Sequence, residues 1–390
     1  MRILVASHSY IVDLNCEKLR ALASLEPNLE VTVVVPRRWC PGGVQNKIIE
    51  TQPRQKGCFR IVPISNFSEN NQSLLTFGAD IISLLRQFKP QIIQVEQGAK
   101  ALGYAQLISL NKLLRLQAKN LFFTWWNLPY QLKFPISWLE AYNLKNTHGV
   151  IAGNQDAAEV LRQHGYQGAI KVMPQLGVDE NRFRSQPQLE LKSKLGIQPD
   201  DFVIGFVGRF VEEKGLLTLG KALVNLQGRP WKWLLLGRGP LQSELMNKAT
   251  EWGIKNQLIW VESVPHEEVP RYINVMDTLV LPSETNSQFK TLTAAGWKEQ
   301  FGHVLIEAMA SKVPVIGSNS GEIPHVIADA GLVFPEGNVS ELQKCLQQLM
   351  EQPNLATHLA QLGYERAMDR YTNKALAKQL LDFYREIIGE

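Results

Sequence analysis

Short apolar runs alternate with segments of helical periodicity along almost the whole chain. The runs at residues 3–6, 31–35, 59–63, 92–95, 121–124 and 149–152 read as buried strands, and helix-like stretches lie between several of them. Buried strands separated by helices predict βαβ units and therefore a parallel, doubly wound sheet. The pattern breaks and then resumes. From Asp201 a second series runs FVIGFVGR, WKWLLLGRG, QLIWVES, TLVLPSE and VPVIGSN, and its Pro-containing lead-in SQPQLELKSKLGIQPDD suits an interdomain connection. Two Rossmann-like halves are expected, at residues 1–183 and 184–372. The tail, residues 373–390, places Leu376, Leu380, Leu381, Tyr384 and Ile387 at helical spacing and predicts a helix able to pack on either half.

A chain of 390 residues exceeds what a single core usually supports, in keeping with two domains. Its longest apolar runs fall far short of the roughly 20 residues of a membrane span. The opening MRILVASHSY reads as a first strand and not as a signal peptide, so a cytoplasmic location is expected. Cys16, Cys40, Cys58 and Cys345 show no paired spacing, which points to reduced thiols and not to a disulfide or zinc site. The net charge of +4 is unevenly spread: residues 1–183 carry 20 Lys and Arg against 13 Asp and Glu, and the remainder is net acidic. A basic half suits an anionic partner. No RRM, KH or helix-turn-helix signature accompanies it, which argues against nucleic acid.

In open α/β sheets ligands bind outside the carboxyl ends of the strands. GRFVEEKG at residues 208–215 puts Arg209 and Lys214 in and just beyond the first such loop of the second half. Arg offers a fork and Lys a point charge for a diphosphate, although a solvated basic loop reads the same way. No Walker A motif is present, and GRGP at residues 237–240 lacks the third Gly of a dinucleotide fingerprint. Gly302, at the entrance of the helical run HVLIEAMA, lets backbone N–H groups approach an anion. That helix would carry Glu307 in its second turn and leave Glu299 in the preceding loop. Carboxylates accept from paired hydroxyls, so Glu307 suits a ribose diol and Glu299 a sugar hydroxyl; capping or surface roles are the alternative.

In this order and spacing, GRFVEEKG, LLLGRGP, LVLPSE, EQFGHVLIEAMA and SGEIPHVI, with MPQLGVD at residues 173–179, closely resemble the retaining glycosyltransferases of family GT4. The resemblance implies the GT-B fold, an α/β architecture of two Rossmann-like domains facing a central cleft. It implies transfer of a hexosyl unit from a UDP- or GDP-sugar to a hydroxyl of a glycan, a lipid-linked glycan or a small molecule, with retention and with neither metal nor cofactor. Polysaccharide or glycolipid synthesis would be the setting. Catalysis would fall to Glu299, Arg209 and Lys214. Besides these two cations, Val264, Phe301, Gly302, His303, Val304 and Glu307 would hold the donor. His8, Ser9, Glu96, Trp126 and Asn127 would lie on the acceptor side, in the first half. Another sugar-nucleotide enzyme of this fold, such as an epimerase, or a catalytically silent sugar-nucleotide binder would share these motifs.

The chain departs from the family pattern at several points. ASHSYIVD lacks the Gly-Gly many members carry, leaving His8 and Ser9 there, and TWWNLPYQ has Asn127 where many relatives have His. Lys312 follows EAMA where Gly is common, and His325 follows GEIP where Glu is common. The insert TNSQFKTLTAAGWK, residues 285–298, is a candidate lid. Trp125, Trp126, Tyr130, Phe134 and Trp138 suit sugar stacking, a core or, with Lys133, a membrane interface. Arg37, Arg38 and Lys18 are candidate contacts for an anionic acceptor or for peripheral contact with an anionic membrane. Lys214→Ala is expected to lose transfer far more than folding stability.

Overall fold

A computed structural model of the chain describes residues 1–41, 47–226, 230–290 and 295–390, with the side chains of 289, 290 and 295 also left aside. It divides into two compact units, Met1–Gly177 with Asn373–Glu390, and Val178–Thr372. The sequence pattern put the junction near residue 184. The second unit begins at Val178, and the lead-in lies within it, where helix Leu189–Lys194 buries Leu191 and the following turn buries Ile197.

The first unit is built on an eight-stranded sheet in the order Ala169–Val172, Gly149–Ala152, Lys119–Thr124, Ile92–Val95, Arg2–Ala6, Glu30–Pro36, Phe59–Ile64 and Arg54–Lys56. All neighbours are parallel except the last, a hairpin edge pairing Arg54 with Ile61. The inner strands are buried on both faces, which is why they read as largely apolar runs, with Gln94 and Asn120 as buried polar exceptions. Strand order reverses at Arg2–Ala6, flanked by Glu30–Pro36 and Ile92–Val95. That reversal makes a crevice at the carboxyl ends of two adjacent strands.

The terminal helix Asn373–Ile388 belongs to this unit. Leu376, Leu380 and Tyr384 are fully buried in the same core as Ile3, Val5, Leu19 and Val33. Tyr384 Oη donates to Gln94 Oε1 at 2.6 Å.

The second unit repeats the scheme with six parallel strands in the order Leu258–Val261, Trp231–Leu236, Phe202–Val207, Thr278–Leu281, Val315–Ser318 and Leu332–Phe334. Its reversal lies between Phe202–Val207 and Thr278–Leu281. The short closing strand Leu332–Phe334 and its counterpart Ala169–Val172 are only partly buried; the first is a run of just three apolar residues and the second is interrupted by Lys171. The insert at 285–298 forms an antiparallel hairpin of Asn286–Lys290 and Ala295–Trp297; residues 291–294 of that candidate lid lie outside the described residues. No described helix is long and apolar enough to cross a membrane.

Because Leu380 closes the core of the first unit, Leu380→Ala should cost that unit about 2–5 kcal/mol by urea denaturation. An unchanged midpoint would mean that the terminal helix is dispensable to it.

Candidate functional site

The second unit gathers its chemistry at the reversal of its strand order. After strand Phe202–Val207 the chain makes a single turn of 3-10 helix, Glu212–Lys214, and ends it at Gly215 with φ +64°. A Cβ there would lie 1.8 Å from the carbonyl oxygen of Pro282, so only glycine lets this loop close against the neighbouring strand end. Glu284 N–H donates to the Glu213 carbonyl at 2.9 Å, and Thr218 Oγ1 to Glu284 Oε1 at 2.5 Å.

This closure delivers Lys214 to Glu299. Lys214 Nζ lies 2.5 Å from Glu299 Oε2, and Ser283 Oγ, fully buried, donates to the same oxygen at 2.7 Å. Both charged side chains are largely removed from water, and the ring of Trp297 lies 5.1 Å from the ammonium. Ser283 is held in turn by Ser318, whose Oγ donates to the Ser283 carbonyl. The backbone of Glu299 is fixed by the SGEIP turn. Gly321, at φ +53°, leaves room for the Glu299 carbonyl where a Cβ would approach to 2.0 Å, and Glu322 N–H donates to it at 3.2 Å. The EQFG and SGEIP motifs therefore shape one structural unit.

Gly302, at φ +79°, opens helix His303–Ala310, whose first N–H groups have no acceptor within the helix. Phe301 is buried against Tyr371, their ring centres 5.6 Å apart, while His303 and Val304 are half-buried in the first turn. Glu307 follows one turn later, nearly buried. The imidazole of His266 approaches it, with Nε2 4.0 Å from Oε1. Arg182 Nη1 donates to His266 Nδ1 at 3.2 Å, which leaves Nε2 carrying the ring proton toward Glu307. Burial, aided by Arg182, lowers the pKa of His266. Burial alone pushes the Glu307 carboxyl up to about 8. Val264, half-buried, lies in the same loop as His266.

Arg209 stands apart from this cluster. It is 70% exposed and, among the described residues, its ion-pair partner is Glu213, at 4.0 Å. Lys312 has φ +58°, the conformation that favours glycine at this position, and its ammonium rests 4.7 Å from the Tyr364 ring.

The first-unit residues fall around the other reversal. His8 is half-buried in the loop after Arg2–Ala6, its Nδ1 without a partner and its ring 4.9 Å from that of Trp39; burial holds its pKa down at about 4. Ser9 N–H donates to Ser7 Oγ at 3.1 Å. Glu96 is interior, with Tyr10 Oη and Gln94 Nε2 donating to one oxygen at 2.8 Å each and Gln175 Nε2 to the other at 2.6 Å. Lys18 is 1% exposed and senses the charge of Glu96, which corrects its reading as a surface contact for an anionic partner. Arg37 and Arg38 are exposed, near Asp80 and near Glu50 and Glu69 respectively.

The aromatic segment splits. Trp125 donates to Gln175 Oε1 at 3.2 Å, Trp126 to the Leu128 carbonyl at 2.7 Å, and Asn127 and Tyr130 are buried, whereas Phe134 and Trp138 point to solvent. Lys100, which no motif marked, has a buried Nζ without a hydrogen-bond partner, 4.0 Å from the Trp126 ring centre and 3.7 Å from that of Tyr130. Burial brings its pKa down to about 8. Ser283 and His266 were likewise missed. A lone Ser inside LVLPSE and a lone His in a polar loop carry no spacing signal, and only the tertiary structure brings them to the two carboxylates.

The site and the two strand-order reversals define an α/β protein of the GT-B fold. Across 99% of this chain and 100% of the other, it superposes with a TM-score of 0.71 on Anabaena HepE, solved in complex with UDP, at 16% identity. Residues 187–366 match the family model described as glycosyl transferases group 1. It is 27% identical to 2-deoxystreptamine glucosyltransferase of Streptomyces kanamyceticus over 65% of this chain and 64% of that protein. It is also 27% identical to the GDP-mannose-dependent alpha-(1-6)-phosphatidylinositol monomannoside mannosyltransferase of Mycolicibacterium smegmatis, over 57% of this chain and 58% of that protein. The matched regions thus span a little under two thirds of the length of these curated relatives.

Two outcomes check this geometry. Removing one partner of a largely buried pair strands the other charge, so Lys214→Ala should lose about 3–5 kcal/mol of stability, contrary to the expectation of a mainly functional loss. In a double-mutant cycle with Glu299→Ala, the double variant should be clearly more stable than the sum of the single losses predicts; additivity would deny the pair. The raised pKa of Glu307 means that the folded chain binds more protons than the unfolded chain between its ordinary value of 4.5 and about 8, so stability falls as pH rises through that window. Glu307→Gln should match wild type near pH 5 and exceed it, by an amount on the order of a few kcal/mol, above pH 8. A difference that does not vary with pH would mean that Glu307 is ordinarily solvated.

Proposed function

We propose that the chain is a retaining glycosyltransferase that moves a hexosyl unit from a UDP- or GDP-sugar to a hydroxyl of a glycan, a lipid-linked glycan or a small molecule. The observation that carries the reading is the pair of unlike carboxylates on the two sides of Gly302: Glu299, charge-compensated by Lys214, and Glu307, nearly buried with His266 4.0 Å away. A nucleotide sugar has a matching order of parts, a ribose diol, a diphosphate and a sugar.

In this reading the ribose hydroxyls donate to Glu307. The diphosphate lies against the N-terminus of helix His303–Ala310, which favours negative charge there. Arg209 swings in from solvent to make a bidentate contact, and Lys214, already in place, offsets the charge that builds on the leaving diphosphate. No metal is assigned a part. Glu299 holds Lys214 in position and offers its carboxylate to a hydroxyl of the donor sugar. With no enzyme nucleophile assigned, the acceptor hydroxyl attacks the face from which the nucleotide departs. Val264, beside His266, offers backbone to the base.

The acceptor belongs to the first unit, where His8, Ser9, Trp126 and Asn127 surround the strand ends. His8, kept neutral by burial, contributes hydrogen bonding and not charge. Glu96, saturated by three donors, sets the floor of that site. The relatives act on a glucosyl donor in one case and on GDP-mannose with a phosphatidylinositol mannoside in the other, and HepE was solved with UDP. These support a hexosyl donor and leave both bases open.

Hydroxyl donors favour the ionised carboxylate, so donor binding should pull the Glu307 pKa down from about 8 and release protons. At pH 7 calorimetry in buffers of different ionisation enthalpy should show release of up to about 0.9 proton per nucleotide sugar bound, lost in Glu307→Gln. The nucleotide class that binds should also raise thermal stability, by about 2.7 kcal/mol at a hundred times its dissociation constant. Donor binding without proton release would remove Glu307 from the ribose, and no stabilisation by any UDP- or GDP-sugar would overturn the donor site.

A further inference from the structure

The insert at 285–298 brings to the donor site one side chain that the chemistry so far does not use. Its second strand, Ala295–Trp297, ends two positions before Glu299, and Trp297 pairs across the hairpin with Asn286. The base of the hairpin is fastened to the unit by Glu336, whose Oε2 accepts from Thr285 N–H at 2.8 Å and from Thr285 Oγ1 at 2.9 Å. Glu336 N–H donates in turn to Asn319 Oδ1 at 2.8 Å, just ahead of the SGEIP turn that fixes the Glu299 backbone. The indole therefore rides on a braced stem.

Trp297 meets the site through Lys214. The ammonium lies 5.1 Å from the ring centre and 2.5 Å from Glu299 Oε2, so indole and carboxylate flank one cation. A cation over an indole is favourable, and more so away from water. Shielding of the ion pair does not account for the whole side chain, however. Trp297 is only half-buried, and its indole N–H has no hydrogen-bond partner among the described residues. A tryptophan that serves packing alone usually turns its N–H onto a protein acceptor, as Trp260 does at 2.9 Å from the Gly237 carbonyl. Trp297 instead leaves a donor and part of an apolar ring open beside a charge-compensated carboxylate. A pyranose is the chemical complement of that combination, with C–H groups on its faces for the ring and hydroxyls on its rim for the N–H and the carboxylate. A diphosphate, all acceptors and negative charge, gains nothing from the apolar ring.

We propose that Trp297 is a specificity-determining contact to the transferred hexose, packing its ring on the C–H face of the pyranose and donating its N–H to a hydroxyl, so that the insert takes part in choosing the sugar. The inference rests on the donor site proposed for this unit and adds which part of the nucleotide sugar the indole touches.

The test sets each nucleoside diphosphate against its own sugar conjugate by calorimetry: UDP against UDP-glucose and UDP-galactose, and GDP against GDP-mannose, on wild type, Trp297→Phe and Trp297→Ala. Phenylalanine keeps a ring and loses the N–H. For the conjugate that wild type binds best, Trp297→Phe should weaken binding about threefold and Trp297→Ala about tenfold or more, with the free diphosphate held within about twofold of wild type. Retained diphosphate binding also shows that each variant is folded with its donor site intact. Where the base is uridine, the preference between glucose and galactose should narrow in Trp297→Ala. The proposal fails if both variants bind the conjugate as wild type does. It also fails if diphosphate and conjugate weaken in parallel in Trp297→Phe, which would make the indole a brace for Lys214 and not a sugar contact. Failure of the donor site itself looks different, because wild type then binds none of these ligands and the sugar contact falls with it.

Discussion

Lys214 and Glu299 form the contact on which the arrangement of the second unit turns. Two opposite charges largely withdrawn from water stabilise a fold only where geometry and further hydrogen bonds offset their desolvation. Here Ser283 supplies such a bond to the same carboxylate oxygen, and Ser318 fixes Ser283. The pair ties together four loops that follow different strands: Gly208–Gly215 positions the lysine, 282–284 the serine, 298–302 the glutamate, and 319–322 the glutamate's backbone. Two of the glycines, Gly215 and Gly321, serve this single contact, because each sits where a Cβ would collide with a backbone oxygen.

The fold is legible in the sequence wherever burial is total. Strands such as Arg2–Ala6 and Gly149–Ala152, buried almost throughout, leave the apolar runs ILVA and GVIA; the partly buried Ala169–Val172 is broken by Lys171, and Leu332–Phe334, though apolar, is only three residues long. Site positions are legible where backbone geometry demands a residue type, as at Gly302 and Gly321, or where a charge recurs within a motif, as at Lys214, Glu299 and Glu307. Partnership is a different matter. Nothing in GRFVEEKG says that its lysine pairs with a glutamate 85 positions later while its arginine stays in water.

Lys18 shows the limit most plainly. It stands next to Glu17, within a turn of Arg20, in a segment that reads as a polar helix face, yet it is fully interior beneath the strand ends, near Glu96. A lone lysine on a short helix carries no mark of burial, since its stem is apolar enough to follow Leu19 and Leu22 inward. Lys312 is the reverse case. The resemblance leads one to expect glycine there, and the structure shows the left-handed backbone that favours glycine, with the long side chain of Lys312 settled on Tyr364.

Both units place carboxylates at a reversal of strand order, but they treat them in opposite ways. Glu96 has both oxygens occupied by Tyr10, Gln94 and Gln175, so it acts inward, as a fixed negative charge that organises the polar floor of the first unit. Glu307 is nearly buried with an uncharged imidazole edge 4.0 Å away, and its elevated pKa measures how poorly its charge is compensated. A protein that only needed a stable helix at His303–Ala310 would gain from an apolar residue in that place. A carboxyl kept in such surroundings costs folding stability at neutral pH and lowers that cost only when hydroxyls or N–H groups arrive from outside. The uncompensated acid, more than the well-satisfied ion pair, marks where the second unit is shaped for a ligand.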